Sequence, residues 1–324
     1  MSSLDICSVS FHNAPHLALN WALTERLNAL PHHCRWLVAE NTPEGALDRL
    51  RSDDARFEIL PGASKKLVPN YQHTEALHGC LARATSRFVL ILDPDFYLVR
   101  PNWIDEIIRH MKDRQLSFFG APWHASNTDK YRYFPCVHCL FVDQERLPLR
   151  YLDMRPDRED QIVEKFRPEY RDVATATSSP ADARQRVSDF AWKISGLRGR
   201  RKNYCDTGTR FYHRFRNDRQ HKFELAQSVL RLPEESPIHL GWKGQLLEAL
   251  LPDSLCYLPK RKASFTGLGL REAGYLKDAP RQWEEFMWKQ RPFAFHVRRN
   301  RSKDSRNASN ELALLVQALE GFQD

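Results

Sequence analysis

Short apolar runs alternate along the first 145 residues with longer stretches in which apolar positions recur at helical spacing. The clearest run is Phe88 to Leu92, five consecutive apolar residues that lead directly into Asp93-Pro94-Asp95. A continuous apolar run bounded by turn residues predicts a strand that is buried on both faces, as in a parallel sheet. Pro94 has no N–H to donate to a neighbouring strand, so we expect the strand to end at or near Asp93.

Other segments repeat this pattern of strand and helix. Segments rich in β-branched and apolar residues predict strands at residues 4–11, 35–39 and 57–60, and a further strand, which could run antiparallel, at 133–142. Helical spacing predicts helices that begin at Pro15, near residue 43, at residues 69–70 and at Pro101. This alternation predicts βαβ units, and therefore an α/β fold with a mostly parallel central sheet flanked by helices.

The second half of the chain is less regular. Residues 153–189 are polar and rich in turn residues, which is typical of a mobile or inserted segment, and helices are predicted at 181–194 and 311–322. We expect residues 256–324 to form a mixed, α-rich extension that packs on the preceding domain.

Composition places the chain among ordinary globular proteins. Its 324 residues are 42% apolar and 28% charged, and no run approaches the ~20 apolar residues that a membrane-spanning helix needs. The N-terminus has neither a basic region nor an apolar region typical of a secretory signal. Seven cysteines without disulfide-framework spacing suit a reducing compartment. We therefore expect a soluble, cytoplasmic protein.

The net charge of +8 is concentrated in two segments. Residues 198–222 contain nine Lys/Arg and two Asp, and residues 289–306 contain seven Lys/Arg and one Asp. Such basic surfaces suggest an anionic partner, such as nucleotide phosphates, an anionic membrane or an acidic glycan, although each run could also be only a solvated face.

Asp93 and Asp95 are the strongest candidates for chemistry. In open α/β sheets, ligands bind at the carboxyl ends of the strands, where the pattern places both residues. Two carboxylates there suit a divalent cation, Mn²⁺ or Mg²⁺, that shares a substrate diphosphate. We expect Asp95 to coordinate the ion directly, and Asp93 to do so through water or to hold a ribose. The alternative for an isolated pair of this kind is a solvated turn.

Two residues of the second half are further candidates. His296 follows an apolar triplet and precedes Arg298-Arg299, so it could complete a metal site or contact a diphosphate, although a lone histidine is more often structural. Asp206, in Cys205-Asp206-Thr207-Gly208, could act as a general base toward an acceptor hydroxyl, or could simply initiate a turn.

The segment from Asn70 to Tyr97, a helix pattern followed by an apolar strand and D-x-D, resembles the GT-A glycosyltransferases, and is closest to the inverting family 2. The resemblance covers roughly residues 4–145. It implies that Phe11 and His12 line the nucleotide site, that Glu40 faces the base or ribose, that Asn70 lies near the nucleotide, and that Asp93 and Asp95 hold the metal and the diphosphate. Asp206 sits where these enzymes place a catalytic base, and His296 matches loosely a C-terminal metal-binding histidine.

Two positions depart from the family pattern. The usual Asp after the second strand is here Glu40-Asn41, and the usual acceptor-side acidic pair is a single Asp206. These departures leave the base and the choice between inversion and retention open.

The sequence as a whole predicts a GT-A glycosyltransferase domain at 1–255, with a nucleotide-sugar half at about 1–145 and an acceptor half at about 146–255. We expect it to move a sugar from a nucleotide-diphosphate donor to a glycan or glycolipid acceptor in bacterial-type surface glycan or polysaccharide synthesis, with peripheral contact to the inner face of an anionic membrane. Lys243 or Arg298 would stabilise the departing diphosphate. Trp123 and Trp242 are candidate sugar platforms, although a lone tryptophan is more often part of the core. We expect no nucleic-acid partner.

The alternatives are a sugar-phosphate nucleotidyltransferase, a haloacid-dehalogenase-like phosphatase and a non-catalytic GT-A-like protein that binds an anionic glycan. The first would need a glycine-rich loop, but residues 10–13 contain no glycine. The second would need a Thr- or Val-bearing continuation that Phe96-Tyr97 does not supply. The third does not explain why both carboxylates are present.

Overall fold

A computed structural model describes residues 4–29, 34–42, 55–65, 67, 69–124, 134–156, 206–216, 218–229, 275–276, 280, 283–297 and 305–322. Their strands are β1 (Leu4–Ser10), β2 (Cys34–Glu40), β3 (Phe57–Pro61), β4 (Phe88–Leu92), β5 (Phe96–Leu98), β6 (Phe118–Gly120), β7 (Cys139–Asp143), β8 (Phe223–Leu225), β9 (Gln227–Val229), β10 (Glu284–Trp288) and β11 (Arg291–His296). Their helices are α1 (Ala14–Leu27), α2 (Pro69–Arg83), α3 (Trp103–Arg114), a short 3₁₀ turn (Leu149–Tyr151), α4 (Thr209–Phe215) and α5 (Ser305–Glu320).

Seven of the described strands form the central sheet, in the order β3-β2-β1-β4-β7-β6-β8. Only β7 runs antiparallel to its neighbours, so the sheet is mostly parallel, as predicted. Its centre is β4, in which no residue is more than 2% exposed. The prediction of a strand buried on both faces is confirmed.

Alternate residues of β4 enter two different hydrophobic layers. Val89 and Ile91 pack with the apolar stripe of α2 on one face of the sheet. Leu90 and Leu92 pack on the other face with the stripe of α3, which includes Trp103. Because successive side chains of a strand point to opposite faces, an uninterrupted apolar run is the pattern that this two-sided burial requires.

A second, four-stranded antiparallel sheet has the order β5-β11-β10-β9. Its first strand begins one residue after Asp95, and β11 pairs with it, so that His296 lies opposite Phe96. The described part of the C-terminal extension therefore contributes a β-hairpin as well as a helix, and neither the hairpin nor β5 was predicted. The domain boundary at residues 255–256 stays a prediction.

Other differences are local. Helix α3 starts at Trp103 rather than Pro101, because Asn102 has a left-handed backbone conformation with φ 53° and cannot be part of the helix. Strand β7 covers only the second half of the predicted run. The helices predicted near 43–50 and at 181–194 lie outside the described residues.

Two buried carboxylates secure the amino edge of the sheet. Asp5 forms a bidentate ion pair with Arg35, and Asp143 forms one with Arg87. Asp5 also accepts hydrogen bonds from the backbone N–H groups of Thr85 and Ser86. Among the described helices, none combines the length and the apolar character required to cross a bilayer.

Candidate active site

Three backbone hydrogen bonds hold the turn that carries Asp93 and Asp95. The N–H of Asp93 donates to the carbonyl of His138 over 3.0 Å, and the N–H of Phe96 donates to the carbonyl of Asp93 over 3.0 Å. The N–H of Val297 donates to the carbonyl of Asp95 over 2.9 Å. The turn is thus attached to the residue before β7 on one side and to the residue after β11 on the other.

Asn20 of α1 supports the same turn from behind. Its side chain is buried, and its Nδ2 donates to the carbonyl oxygens of Phe96 at 2.8 Å and of Pro94 at 3.3 Å. Amide groups that satisfy buried carbonyls restrict the local backbone, because an unsatisfied buried carbonyl is costly. Asn20 therefore fixes the backbone between the two carboxylates.

Asp93, Asp95 and His296 each offer one ligand atom, and these three atoms lie within 4.8 Å of one another. His296 Nε2 is 3.5 Å from Asp95 Oδ1. The two Asp side chains are 26% and 20% exposed, so an ion could reach them from solvent. Two carboxylate oxygens and one imidazole nitrogen suit Mn²⁺ better than Mg²⁺, which prefers oxygen ligands. The residues present therefore fit a divalent cation.

Glu284 lies behind His296. Its Oε2 is 3.1 Å from His296 Nδ1, and its side chain is 4% exposed. Burial alone would lower the pKa of His296, but hydrogen bonds with Asp95 and Glu284 reverse that effect and raise this pKa to about 10. The imidazole is therefore held by carboxylates on both of its nitrogens.

For Asp93, burial acts on the pKa in the opposite direction from its effect on His296. Burial and the neighbouring Asp95 carboxylate raise the pKa of Asp93 to about 7, with a further contribution from Asp206 and an opposing one from His296. Negative charge accumulates here beyond what one histidine compensates. Such a cluster favours a bound cation.

Asp206 belongs to this cluster. Its charge acts on Asp93 and on His73, a half-buried residue of α2. The neighbouring Thr207 has its hydroxyl 3.3 Å from His73 Nδ1, and His73 Nε2 is 3.9 Å from Asp93 Oδ1. His73 thus lies between the carboxylate of the D-x-D turn and the loop that carries Asp206. Asp206 itself starts a turn, because its carbonyl accepts a hydrogen bond from the N–H of Thr209 over 3.1 Å. Its Oδ1 also accepts a hydrogen bond from the N–H of Thr207 over 3.0 Å.

The ends of β1 and β2 lie at the same carboxyl edge of the sheet as the end of β4. Glu40 lies opposite Ser10 in the parallel pair, and Phe11 follows with 54% of its surface exposed. His12 has a left-handed backbone, and its N–H donates to the hydroxyl of Thr42.

Three buried polar atoms in this region have no hydrogen-bond partner among the described residues: Ser10 Oγ, Asn13 Oδ1 and Glu40 Oε2. Buried polar atoms normally have partners, so this group is suited to a polar ligand.

The remaining candidates divide into two groups. The carbonyl of Asn70 is 3.4 Å from the hydroxyl of Thr207, which puts the start of α2 beside the Asp206 loop. Trp123 is half-buried, and its ring centroid is 5.1 Å from that of His138, whose ring stacks on His296 at 5.3 Å. Lys243, Arg298 and Trp242 lie outside the described residues.

Sequence reasoning missed three residues of this site: Asn20, His73 and Glu284. Each looks like an ordinary residue of an amphipathic helix or a strand. Only the charged pair Glu284-Glu285 inside an otherwise apolar strand was a usable signal, because carboxylates are seldom buried without a partner.

Known proteins show only limited similarity to this chain. No protein-family model matches the chain, and no curated protein matches its sequence. Among solved structures, it resembles the mannosyltransferase PcManGT from Pyrobaculum calidifontis, in complex with GDP-Man and Mn²⁺, with 12% identity and a TM-score of 0.39 over 61% of this chain and 65% of that one. It also resembles S. aureus TarS 1-349, with 11% identity and a TM-score of 0.35 over 47% of this chain and 50% of that one. The chain thus spans less than two thirds of either structure.

Proposed function

We propose that this protein is a metal-dependent glycosyltransferase that moves a sugar from a nucleotide-diphosphate donor to a hydroxyl acceptor. The observation that carries the proposal is the convergence of Asp93, Asp95 and His296 at the carboxyl edge of the sheet, with Asp206 close enough for its charge to act on Asp93. The resemblance of residues 70–97 to the GT-A pattern also supports a nucleotide-sugar site at this edge of the sheet.

In this proposal Asp93, Asp95 and His296 hold Mn²⁺ or Mg²⁺. When bound, the cation would neutralise the negative charge that develops on the departing nucleoside diphosphate. The unpartnered atoms of Ser10, Asn13 and Glu40 support a neighbouring pocket for the nucleoside, with Phe11, His12 and Asn70 at its borders.

Asp206 is the proposed general base. It would take the proton of the acceptor hydroxyl as that oxygen attacks the anomeric carbon of the donor sugar. The bond from this carbon to the diphosphate oxygen would break, and the diphosphate would leave with the bonding electron pair. A direct attack of this kind inverts the anomeric configuration. Lys243 or Arg298 would then pair with the leaving diphosphate.

The proposal also covers the acceptor and the place in the cell where the reaction occurs. Trp123 borders the metal-ligand cluster through His138 and could pack on a sugar face. The basic residues around α4 would suit a glycan or glycolipid acceptor at the inner face of an anionic membrane, which is consistent with a role in surface glycan synthesis.

A thermal-shift panel tests the donor site. GDP, UDP, ADP, CDP and dTDP are each added with and without Mn²⁺ to the wild type, Asp95→Ala and Asp113→Ala. Asp113 is an exposed carboxylate near the start of β6, at the opposite edge of the sheet, and serves as the matched control. We expect a Mn²⁺-dependent rise in Tm for one nucleotide, lost in Asp95→Ala and kept in Asp113→Ala. A wild type that responds to none of the nucleotides would refute the donor site.

The base assignment needs the identified donor. With that nucleotide-sugar and an acceptor, Asp206→Asn should lose transfer while its Mn²⁺-dependent Tm response to the nucleotide persists. Turnover near the wild-type rate would remove Asp206 as the base. Conversion of the nucleotide-sugar and added pyrophosphate into a nucleoside triphosphate and a sugar phosphate would instead identify a nucleotidyltransferase, and binding without any transfer would identify a non-catalytic protein.

A further inference from the structure

Glu284 is one of two adjacent buried glutamates on β10, and nothing in the proposed reaction requires it. The residue is 3% exposed, and Glu285 is 1% exposed. Burying a carboxylate is costly unless hydrogen bonds or a cation compensate its charge. Each glutamate therefore needs a structural or functional reason.

The two glutamates are buried for different reasons. Glu285 Oε2 accepts hydrogen bonds from the N–H groups of Tyr275 and Leu276, and so attaches that segment to the sheet. Glu284 lies directly opposite His296 in the antiparallel pair, and its Oε2 is 3.1 Å from His296 Nδ1. Adjacent residues of a strand point to opposite faces, which explains the different partners.

We propose that Glu284 is a positioning residue for a divalent cation at Asp93, Asp95 and His296. Glu284 accepts a hydrogen bond from the Nδ1–H group of His296, which leaves Nε2, 3.5 Å from Asp95 Oδ1, as the nitrogen that would bind the cation. The rings of His138 and Phe96 lie beside the imidazole, with centroids at 5.3 Å and 5.8 Å, and limit its movement. The buried charge of Glu284 also makes Nε2 a stronger ligand. This inference rests on the metal site of the proposed function and extends it by one residue.

The test measures the Kd of Mn²⁺ from the EPR signal of the free ion, with Mn²⁺ alone and then with GDP or UDP present. Loss of the carboxylate behind a metal-binding histidine typically weakens metal binding about 10–100-fold. We expect Glu284→Ala to fall in that range. Glu284→Gln should lose less, since its amide oxygen still accepts a hydrogen bond from Nδ1 and its shape is retained. Glu285→Gln is the matched control and should stay within about twofold of the wild type.

A double-mutant cycle separates positioning from a general effect on the fold. In a His296→Ala background, Glu284→Ala should cause no further loss of Mn²⁺ affinity, because the ring that it orients is gone. An equal loss in both backgrounds, or an unchanged Kd for Glu284→Ala and Glu284→Gln in the wild-type background, would overturn the proposal.

Asp95→Ala distinguishes this failure from failure of the metal site. If Asp95→Ala loses Mn²⁺ and the Glu284 variants do not, only the role of Glu284 is wrong. If Asp95→Ala binds Mn²⁺ like the wild type, or the wild type binds none, the metal site itself is wrong.

Discussion

Replacing Asn20 by alanine should both destabilise the protein and weaken its metal site. Asn20 is 1% exposed and donates to the carbonyl oxygens of Pro94 and Phe96, on either side of Asp95. Each buried carbonyl left without its donor costs about 1–3 kcal/mol. Because relaxation of the turn recovers part of this, we expect Asn20→Ala to lower the free energy of unfolding by about 2–4 kcal/mol.

The effect on the metal follows from the same hydrogen bonds. Without Asn20 the backbone around Asp95 can move, and metal ligands need their supporting contacts to keep their geometry. We expect the Kd for Mn²⁺ to rise by roughly tenfold or more. Urea denaturation gives the stability, and titration of Mn²⁺ followed by EPR gives the Kd, both on the same preparations.

Asn28→Ala is the matched control. Asn28 is also buried at the C-terminal end of α1, where its Nδ2 donates to the carbonyl of Thr24 and its Oδ1 accepts from the N–H of Ile104. It makes two hydrogen bonds, as Asn20 does, but none to the D-x-D turn. We expect a comparable loss of stability and an unchanged Kd. If both variants bind Mn²⁺ equally well, Asn20 does not organise the site and the reasoning is refuted.

Three further substitutions test the scaffold. Burial acts to raise the pKa of Asp5, but hydrogen bonds from Arg35 and two backbone N–H groups outweigh it and lower the pKa. Asp5 therefore stabilises the fold above its ordinary pKa of about 3.9, and this contribution is lost as the pH falls. Asp5→Asn should cost about 1–3 kcal/mol at pH 7 and clearly less at pH 3 in urea denaturation, because the Arg35 guanidinium left without its carboxylate is partly exposed; a loss of the same size at both pH values would contradict this. Gly120→Ala should lower Tm markedly, because its Cβ would lie 2.1 Å from the carbonyl oxygen of Cys139. Gly79→Ala in α2 meets nothing within 4 Å and should raise stability by up to about 1 kcal/mol; similar Tm changes for the two would be inconsistent with the packing.

Much of the central sheet could be predicted because its signals are local. Strands β1 to β4 are short segments rich in apolar residues, and β2, β3 and β4 are followed within two residues by Asn, Gly or Pro. Helices α2 and α3 carry apolar stripes at helical spacing, so each element is encoded within its own residues. The antiparallel sheet could not be predicted in this way. Strand β5 has three residues, and it exists as a strand because β11, about 200 residues later, pairs with it.

In the candidate site, too, the locally encoded features could be predicted and the long-range contacts could not. The sequence by itself determined that Asp93 and Asp95 stand at the end of a buried strand, since a buried apolar run interrupted by Pro94 permits little else. The sequence suggested Asp206 and His296 as candidates but did not place them near that strand end. Contacts between residues far apart in the chain produce no periodic pattern in either segment. Glu284 and Glu285 are adjacent and chemically identical, and only the register of β10 against β11 decides that the first faces His296 and the second does not. A shift of one residue would exchange their roles, because each step along a strand turns the side chain to the other face of the sheet.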